Sequence, residues 1–341
     1  MGGDSAPGAV VAGAVAAVRD LGLRVVLVGP EAAIREEASA HGGDVLDVSV
    51  VDAPEAIGMT ESPLAALRRK RRASIRVAMD IVARGDADAV FTAGHTGAAM
   101  IAAHAAFGVL PGVERPALAV VVPTPKGAAV LLDAGANVDC RPDHLERFGV
   151  MGAAYARIAL NLERPRVGLL SIGEEAGKGN DLVREAHGLL ASAPVHFIGN
   201  LEARDLFAGL ADVIVCDGFA GNIALKVGEG LVEALETMLR EELGAEVVSQ
   251  FGALLTRRAF ARFRQRVDWA EYGGAPLLGV SRLVVVGHGR STPHAVESGI
   301  RQTVRLLESR VVEGLRDALR VSDGPGGSGG REAGRHEERQ R

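Results

Sequence analysis

Short apolar runs recur along the chain, each ending in a glycine-rich turn and followed by residues with helical spacing. Val213 to Cys216 is one such run, rich in β-branched residues, and it predicts a buried strand. Asp217 and Gly218 end it. Gly221 and Asn222 read as a tight, permissive loop, with a helix to follow that carries Leu225 and Lys226 in its first turns and extends through Leu231 to Glu242. The same order recurs in Asp88 to Ala99. Ala129 to Asp139 ends a strand at Asp133 and turns on Gly135 and Asn137. Gly168 to Asn180 ends a strand in a loop that holds Lys178.

Other segments keep the alternation. Val10 to Leu21 is helical by pattern, Arg24 to Gly29 a strand, Glu31 to His41 a helix and Val45 to Val51 a strand. Leu64 to Ala83 reads as one helix with an apolar stripe of Leu64, Leu67, Ile75, Ala78 and Val82. Leu283 to Val286 is a strand ending in the His288-Gly289 loop, and one helix is predicted from Pro293 to Val321. The fold class this implies is α/β, with helices wound about a mostly parallel sheet. Residues 1–321 read as one catalytic unit and 322–341, glycine-rich and charged, as a disordered tail.

Composition supports this class. The 341 residues are 48% apolar but only 4% aromatic, which suits small-residue helices packed closely on a sheet. A net charge of −5 argues against a bulk nucleic-acid binder. Cys140 and Cys216 form no CxxC pair, so neither a metal knuckle nor a disulfide framework is expected. Cys216, beside the central loop, reads as a small buried thiol rather than a nucleophile. No apolar run is long enough to span a bilayer and no signal peptide is visible, which places the expected site of action in the cytosol.

Two cationic stretches stand out. Arg68, Arg69, Lys70, Arg71, Arg72 and Arg76 lie within the Leu64–Ala83 segment. Arg71 falls inside the apolar stripe and would need an anionic partner, either a structural carboxylate or a substrate phosphate. The others face out, as a solvated surface or a dock for an acidic partner. Residues 243–268 read as an amphipathic helical protrusion. In it Val248, Phe251, Leu254, Leu255 and Phe260 interleave with Arg257, Arg258, Arg262, Arg264 and Arg266. That element suits a membrane or partner surface, or a hairpin at a dimer interface.

Strand ends that carry glycine beside Asp, Asn, Thr, His or Lys are built to receive a small, oxygen-rich ligand. Free backbone N–H groups and helix N-termini face the loops, and ligands of open α/β sheets sit at the carboxyl ends of strands.

Six segments, spread in order over about residues 1–320, resemble the PlsX family of bacterial phosphate acyltransferases: MGGDSAP (1–7), GDADAVFTAGHTGA (85–98), LLDAGANVD (131–139), GLLSIGEEAGKGN (168–180), DVIVCDGFAGNIALKVGEG (212–230) and YGGAPLLGV…HGRS (272–291). The resemblance implies transfer of a fatty acyl group from acyl carrier protein to inorganic phosphate. It also implies a two-lobed fold like that of isocitrate and isopropylmalate dehydrogenases, usually in a homodimer. The family pattern has a strand ahead of MGGD, His where this chain has Ser5 and Asn where it has His95.

This chemistry needs phosphate held beside a thioester carbonyl and an oxyanion stabilised. It implies no metal, no redox cofactor and no covalent enzyme intermediate, because phosphate is the nucleophile. Lys178, between glycines, is the leading candidate for charge neutralisation, with Asn222 and the Gly221 backbone as hydrogen-bond donors. Asp217 and His288 are candidate acid–base or orienting groups. Asp4, Gly94, Thr96, Gly97, Asp133, Asn137 and Asn180 are candidate substrate contacts, although each aspartate could instead cap a helix. Arg68, Arg69 and Arg72, or Phe251, Leu254, Leu255, Arg257 and Arg258, would meet the acidic carrier protein or a membrane, where a glycerol-3-phosphate acyltransferase would take the product. Three other readings compete. They are a phosphotransacetylase acting on short acyl-CoA, a nicotinamide-dependent dehydrogenase (disfavoured by the lack of a suitably placed GxGxxG) and an inactive membrane-bound scaffold.

Overall fold

The computed structural model describes residues 1–43, 46–245, 252, 255–263 and 273–322. The first part of the chain forms α1 (Gly8–Leu21), β1 (Val25–Gly29), α2 (Glu31–Ala40), β2 (Val48–Asp52), α3 (Pro63–Arg69), α4 (Ser74–Arg84), β3 (Ala89–Thr92) and α5 (Thr96–Phe107). Then come β4 (Ala117–Leu118), β5 (Val120–Thr124), β6 (Gly127–Leu132), α6 (Pro142–Ala159), β7 (Arg166–Leu170), α7 (Asp181–Ser192) and β8 (His196–Leu201). The last part holds β9 (Val213–Val215), α8 (Gly218–Ala245), β10 (Ala275–Leu278), β11 (Leu283–Val286), α9 (Pro293–Glu308) and α10 (Val311–Ser322).

Three sheets result, ordered β1-β2, β3-β11-β10-β4 and β5-β6-β9-β7-β8. The pairs β3/β11, β6/β9, β9/β7 and β7/β8 are parallel. Alternate residues of one strand enter different cores, as a strand buried on both faces requires. Val130, Leu132, Val213, Val215, Leu283 and Val285 join one apolar cluster with α6, α7 and α10. Leu131, Ile214 and Val284 join a second with α3, α4, α5 and Leu225 of α8. Each cluster draws on both larger sheets, and helices cover both faces, as the doubly wound α/β expectation requires. Among the described residues no helix is long and apolar enough to cross a membrane.

The structure corrects three predicted elements. The Leu64–Ala83 helix is two helices, α3 and α4, separated at residues 70–73. Glu55 makes the break: its side chain accepts from Arg72 N at 2.7 Å and its carbonyl from Ser74 N at 2.9 Å. The helical register therefore does not carry through, and Arg71 is exposed rather than buried in the stripe. The Pro293–Val321 helix likewise divides into α9 and α10, at Arg310, which has φ 52°. Finally, α8 begins at Gly218, so Gly221 and Asn222 lie in its first turn and not in a preceding loop.

From its first turn outward α8 leaves an apolar stripe uncovered: Phe219, Ile223, Val227, Leu231 and Leu235 recur every fourth residue and all are exposed. Residues 255–263 are helical and exposed, among them Leu255, Arg257 and Arg258. Phe251 and Leu254 lie outside the described residues, as do 264–272 and almost all of the predicted tail.

Candidate active site

Strand order places the glycine-rich turns side by side. In the five-stranded sheet β6, β9 and β7 are parallel neighbours, so the loops at 133–137, 216–218 and 171–180 open from the same edge. In the neighbouring sheet β3 and β11 are parallel, and the loops at 93–95 and 287–291 share an edge in the same way. Residues 1–4 pack against that second pair. Asp4 N donates to Gly289 O at 2.9 Å, and a Cβ on Gly3 would lie 2.6 Å from Ala93 O.

Asp133 organises the first group. It is fully buried, and its carboxylate accepts from the backbone N–H groups of Leu118, Gly135, Ala136 and Asn137 and from Asn137 Nδ2, at 2.7–3.1 Å. Burial pushes its pKa up, and these hydrogen bonds oppose that shift. Asn137 is buried too, with its amide also bonded to Pro116 O. Both side chains hold the turn from beneath. Through these bonds they fix the shape of the turn's backbone.

The start of α8 closes onto this turn. Gly218 N donates to Asn137 O at 2.7 Å, and the Asn222 side chain lies beside Gly135. Asp217 accepts from Ala220 N at 2.8 Å and caps the helix, the simpler of the two roles its sequence position allowed. Asn180 similarly caps α7 through Val183 N at 3.0 Å. Lys178 sits exposed in the loop after β7; its backbone N–H donates to Glu175 O at 2.9 Å, and its side chain has no hydrogen-bond or ion-pair partner among the described residues. Gly94 and Thr96 are half-buried at the start of α5. Gly97 packs against the His95 ring and Pro63.

Two thiols lie in this region. Cys216 is buried and donates to Asp133 O at 3.4 Å; burial, then the Asp133 and Asp217 charges, push its pKa well up. Cys140 is pushed up to about 12 by burial and the same carboxylates. Both are held as thiols, not as nucleophilic thiolates.

The turn after β11 brings in a residue the sequence reading left out. Lys226, one helical turn beyond Asn222, places Nζ 3.2 Å from His288 Nε2 and 2.7 Å from Glu229 Oε2. His288 Nδ1 accepts from Arg290 N at 3.1 Å. Burial, then Lys226, hold the His288 pKa below its usual value; Glu229 opposes them, and Arg290 and Asp4 contribute less, in opposite directions. As a lysine in the first turns of a helix, Lys226 carries no marker of chemistry in the sequence. Its meaning comes from a contact 62 positions away.

Comparison with known proteins bears on this arrangement. Residues 1–314 match a family model described as a fatty acid synthesis protein. A phosphate acyltransferase of Nitratidesulfovibrio vulgaris (strain DP4) is 49% identical over 320 residues, spanning 94% of this chain and 93% of that protein. The chain belongs to the phosphate acyltransferase family. Its members are acyltransferases, and another, from Desulforudis audaxviator (strain MP104C), is 50% identical over 312 residues, 92% of each chain. Among solved structures, a phosphotransacetylase from Streptococcus pyogenes superposes with a TM-score of 0.61 at 18% identity, over 90% of this chain and 92% of that one. The EutD phosphotransacetylase from Staphylococcus aureus gives 0.53 at 14% identity, over 90% of each. These two likenesses establish the shared α/β fold.

The cationic block at 68–72 is less available than its sequence suggests. Lys70 is half-buried, with Nζ on Glu61 and on Ala56 O; Arg69 pairs with Glu61 and Arg72 with Asp52. Arg68 is exposed, and among the described residues it has no ion-pair partner.

Proposed function

We propose that the enzyme moves a long-chain fatty acyl group from acyl carrier protein to inorganic phosphate, giving acyl phosphate for phospholipid synthesis. The observation that carries this reading is the meeting of glycine-rich strand ends at the start of α8, where Asn222 lies beside Gly135 and Lys226 beside His288, donor and cationic side chains suited to an oxyanion. A phosphate oxygen attacks the thioester carbonyl carbon, the C–O bond forms, and the C–S bond breaks with its electron pair leaving on sulfur. The proton carried by hydrogen phosphate passes to the thiolate. The protonated state of Cys140 and Cys216 favours this direct displacement over an acyl-cysteine route.

Lys178 supplies a positive charge at the edge of the five-stranded sheet, and Asn222 a hydrogen-bond donor in the first turn of α8. The acidic carrier protein meets Arg257 and Arg258, which are exposed, in preference to the largely paired block at 68–72. The exposed stripe of α8 receives a second copy of the chain, and contact with a membrane surface and a glycerol-3-phosphate acyltransferase belongs to the same reading.

The test is direct. Palmitoyl-carrier protein and phosphate are incubated with the enzyme, and acyl phosphate and freed carrier thiol are counted. Equal, phosphate-dependent yields of the two support the reading. Turnover with acetyl-CoA but not with palmitoyl-carrier protein would replace it with a phosphotransacetylase.

A further inference from the structure

His288 presents a hydrogen-bonding conflict. A neutral imidazole has one N–H and one bare nitrogen. Here both ring nitrogens face donors: Nδ1 faces Arg290 N–H at 3.1 Å, and Nε2 faces the Lys226 ammonium at 3.2 Å. With Nδ1 accepting from Arg290, the proton sits on Nε2 and points at Lys226. With Nε2 accepting from Lys226, the proton on Nδ1 points at Arg290 N–H. Protonating the ring makes both contacts repulsive. The first state keeps the Arg290 bond, and its remaining conflict is relieved by an acceptor that takes both the His288 Nε2–H and a Lys226 N–H.

The surroundings suit an anion. Lys226 has three N–H donors and Glu229 accepts one, which leaves two. The Arg290 side chain extends toward Glu233, with 3.7 Å between them. Asn222, four residues before Lys226 on α8, lies toward the Asp133 turn, so the two side chains follow one line along the helix from one sheet's loops to the other's. Lys226 is also one of only four lysines among the 38 lysines and arginines of the chain. Of the other three, Lys70 is half-buried against Glu61 and Ala56 O. A lysine offers a compact charge with rotatable donors, where arginine offers a fixed fork.

We infer that Lys226 and His288 form the seat of the attacking phosphate, with one phosphate oxygen accepting from Lys226 Nζ and from His288 Nε2–H. This deepens the acyl-transfer reading and rests on it for the identity of the anion. His288 then acts as a neutral hydrogen-bond donor and not as an acid or base. Neither side chain gains or loses a proton in the step, because the proton of hydrogen phosphate ends on the carrier thiol.

The experiment combines phosphate titration calorimetry on the full chain with steady-state kinetics on palmitoyl-carrier protein. Lys226→Met should raise the KM for phosphate roughly tenfold or more while the KM for the acyl donor and the thermal midpoint stay put. Lys226→Arg, which keeps the charge, should recover part of the loss. His288→Gln keeps an N–H donor and should stay within a few-fold of the native KM, whereas His288→Ala should not. An unchanged phosphate KM in Lys226→Met overturns the seat, and equal losses in His288→Gln and His288→Ala overturn the donor role. If the native protein binds phosphate through Lys226 yet never cleaves the thioester, the seat stands and the acyl-transfer reading fails.

Discussion

Gly221 packs against the carbonyl oxygen of Asp133 so closely that a Cβ there would lie 1.9 Å from that oxygen. This contact seats the first turn of α8 on the turn that follows β6. In an isolated helix, Gly221→Ala would gain about 1 kcal/mol. Here the added methyl meets rigid backbone, and we expect a net loss of roughly 1–3 kcal/mol in a denaturant titration, with activity falling further as the two loops part. A variant as stable and active as the native enzyme would show that α8 can shift freely on this turn.

Asp133 holds five N–H groups through two oxygens. Asp133→Asn replaces one acceptor with a donor amid donors. We expect a loss of roughly 3 kcal/mol and collapse of turnover without any change in which acyl donor is preferred. A stable Asp133→Asn enzyme with altered donor preference would mean the carboxylate faces substrate after all.

Cys140 provides a check on the direct-displacement reading. With its pKa near 12, its thiolate fraction at pH 8 is about a thousandfold below that of an ordinary cysteine. Alkylation by iodoacetamide should be slow at pH 8 and should quicken about tenfold per pH unit above it, with little loss of activity at neutral pH. Rapid alkylation at pH 7 with matching inactivation would restore a nucleophilic cysteine.

The Arg166–Asp212 pair gives a stability prediction with a definite sign. Asp212 accepts from Arg166 N, Nε and Nη2 at 2.8–3.0 Å, tying the start of β7 to the entry of β9. Burial alone would raise the Asp212 pKa, but the Arg166 bonds outweigh it and the net shift is downward. The unfolded chain therefore takes up the proton first as pH falls. Stability from the pair is full at neutral pH and declines from about pH 4, the unfolded value, through the lower folded value. Asp212→Asn should be less stable than native at pH 7, and the gap should close toward pH 2. A gap that is constant with pH would assign the effect to packing.

Much of this was legible because the chain repeats one local pattern. A short β-branched run followed by glycine and small-residue helix gave β3, β6, β7, β9 and β11, and with them the loops that converge. What the pattern hid were events set by distant residues. Glu55 breaks the segment at 70–73 from outside it, so a stripe with good spacing spans two helices and Arg71 emerges exposed. Gly221 reads as loop because glycine is poor in helices, yet it is helical and glycine for lack of room above Asp133. Lys226 looks like any helix lysine until β11 delivers His288 to it.

The two arginine surfaces can be separated by charge reversal. At residues 68–72, Arg69 and Arg72 already neutralise Glu61 and Asp52, so Arg69→Glu or Arg72→Glu mainly breaks local ion pairs; for such exposed pairs the cost is at most about 1 kcal/mol. Arg257 and Arg258 stand exposed on a helical segment, and reversing both adds repulsion where the acidic carrier would approach. We expect Arg257→Glu with Arg258→Glu to raise the KM for palmitoyl-carrier protein several-fold at low salt, leaving the KM for phosphate untouched, and the difference from native to shrink as salt screens it. Arg69→Glu should move that KM by less than twofold. If the effects are reversed, the carrier docks beside α3 despite the paired charges. A rise in phosphate KM in the Arg257/Arg258 variant would instead place that segment over the catalytic loops.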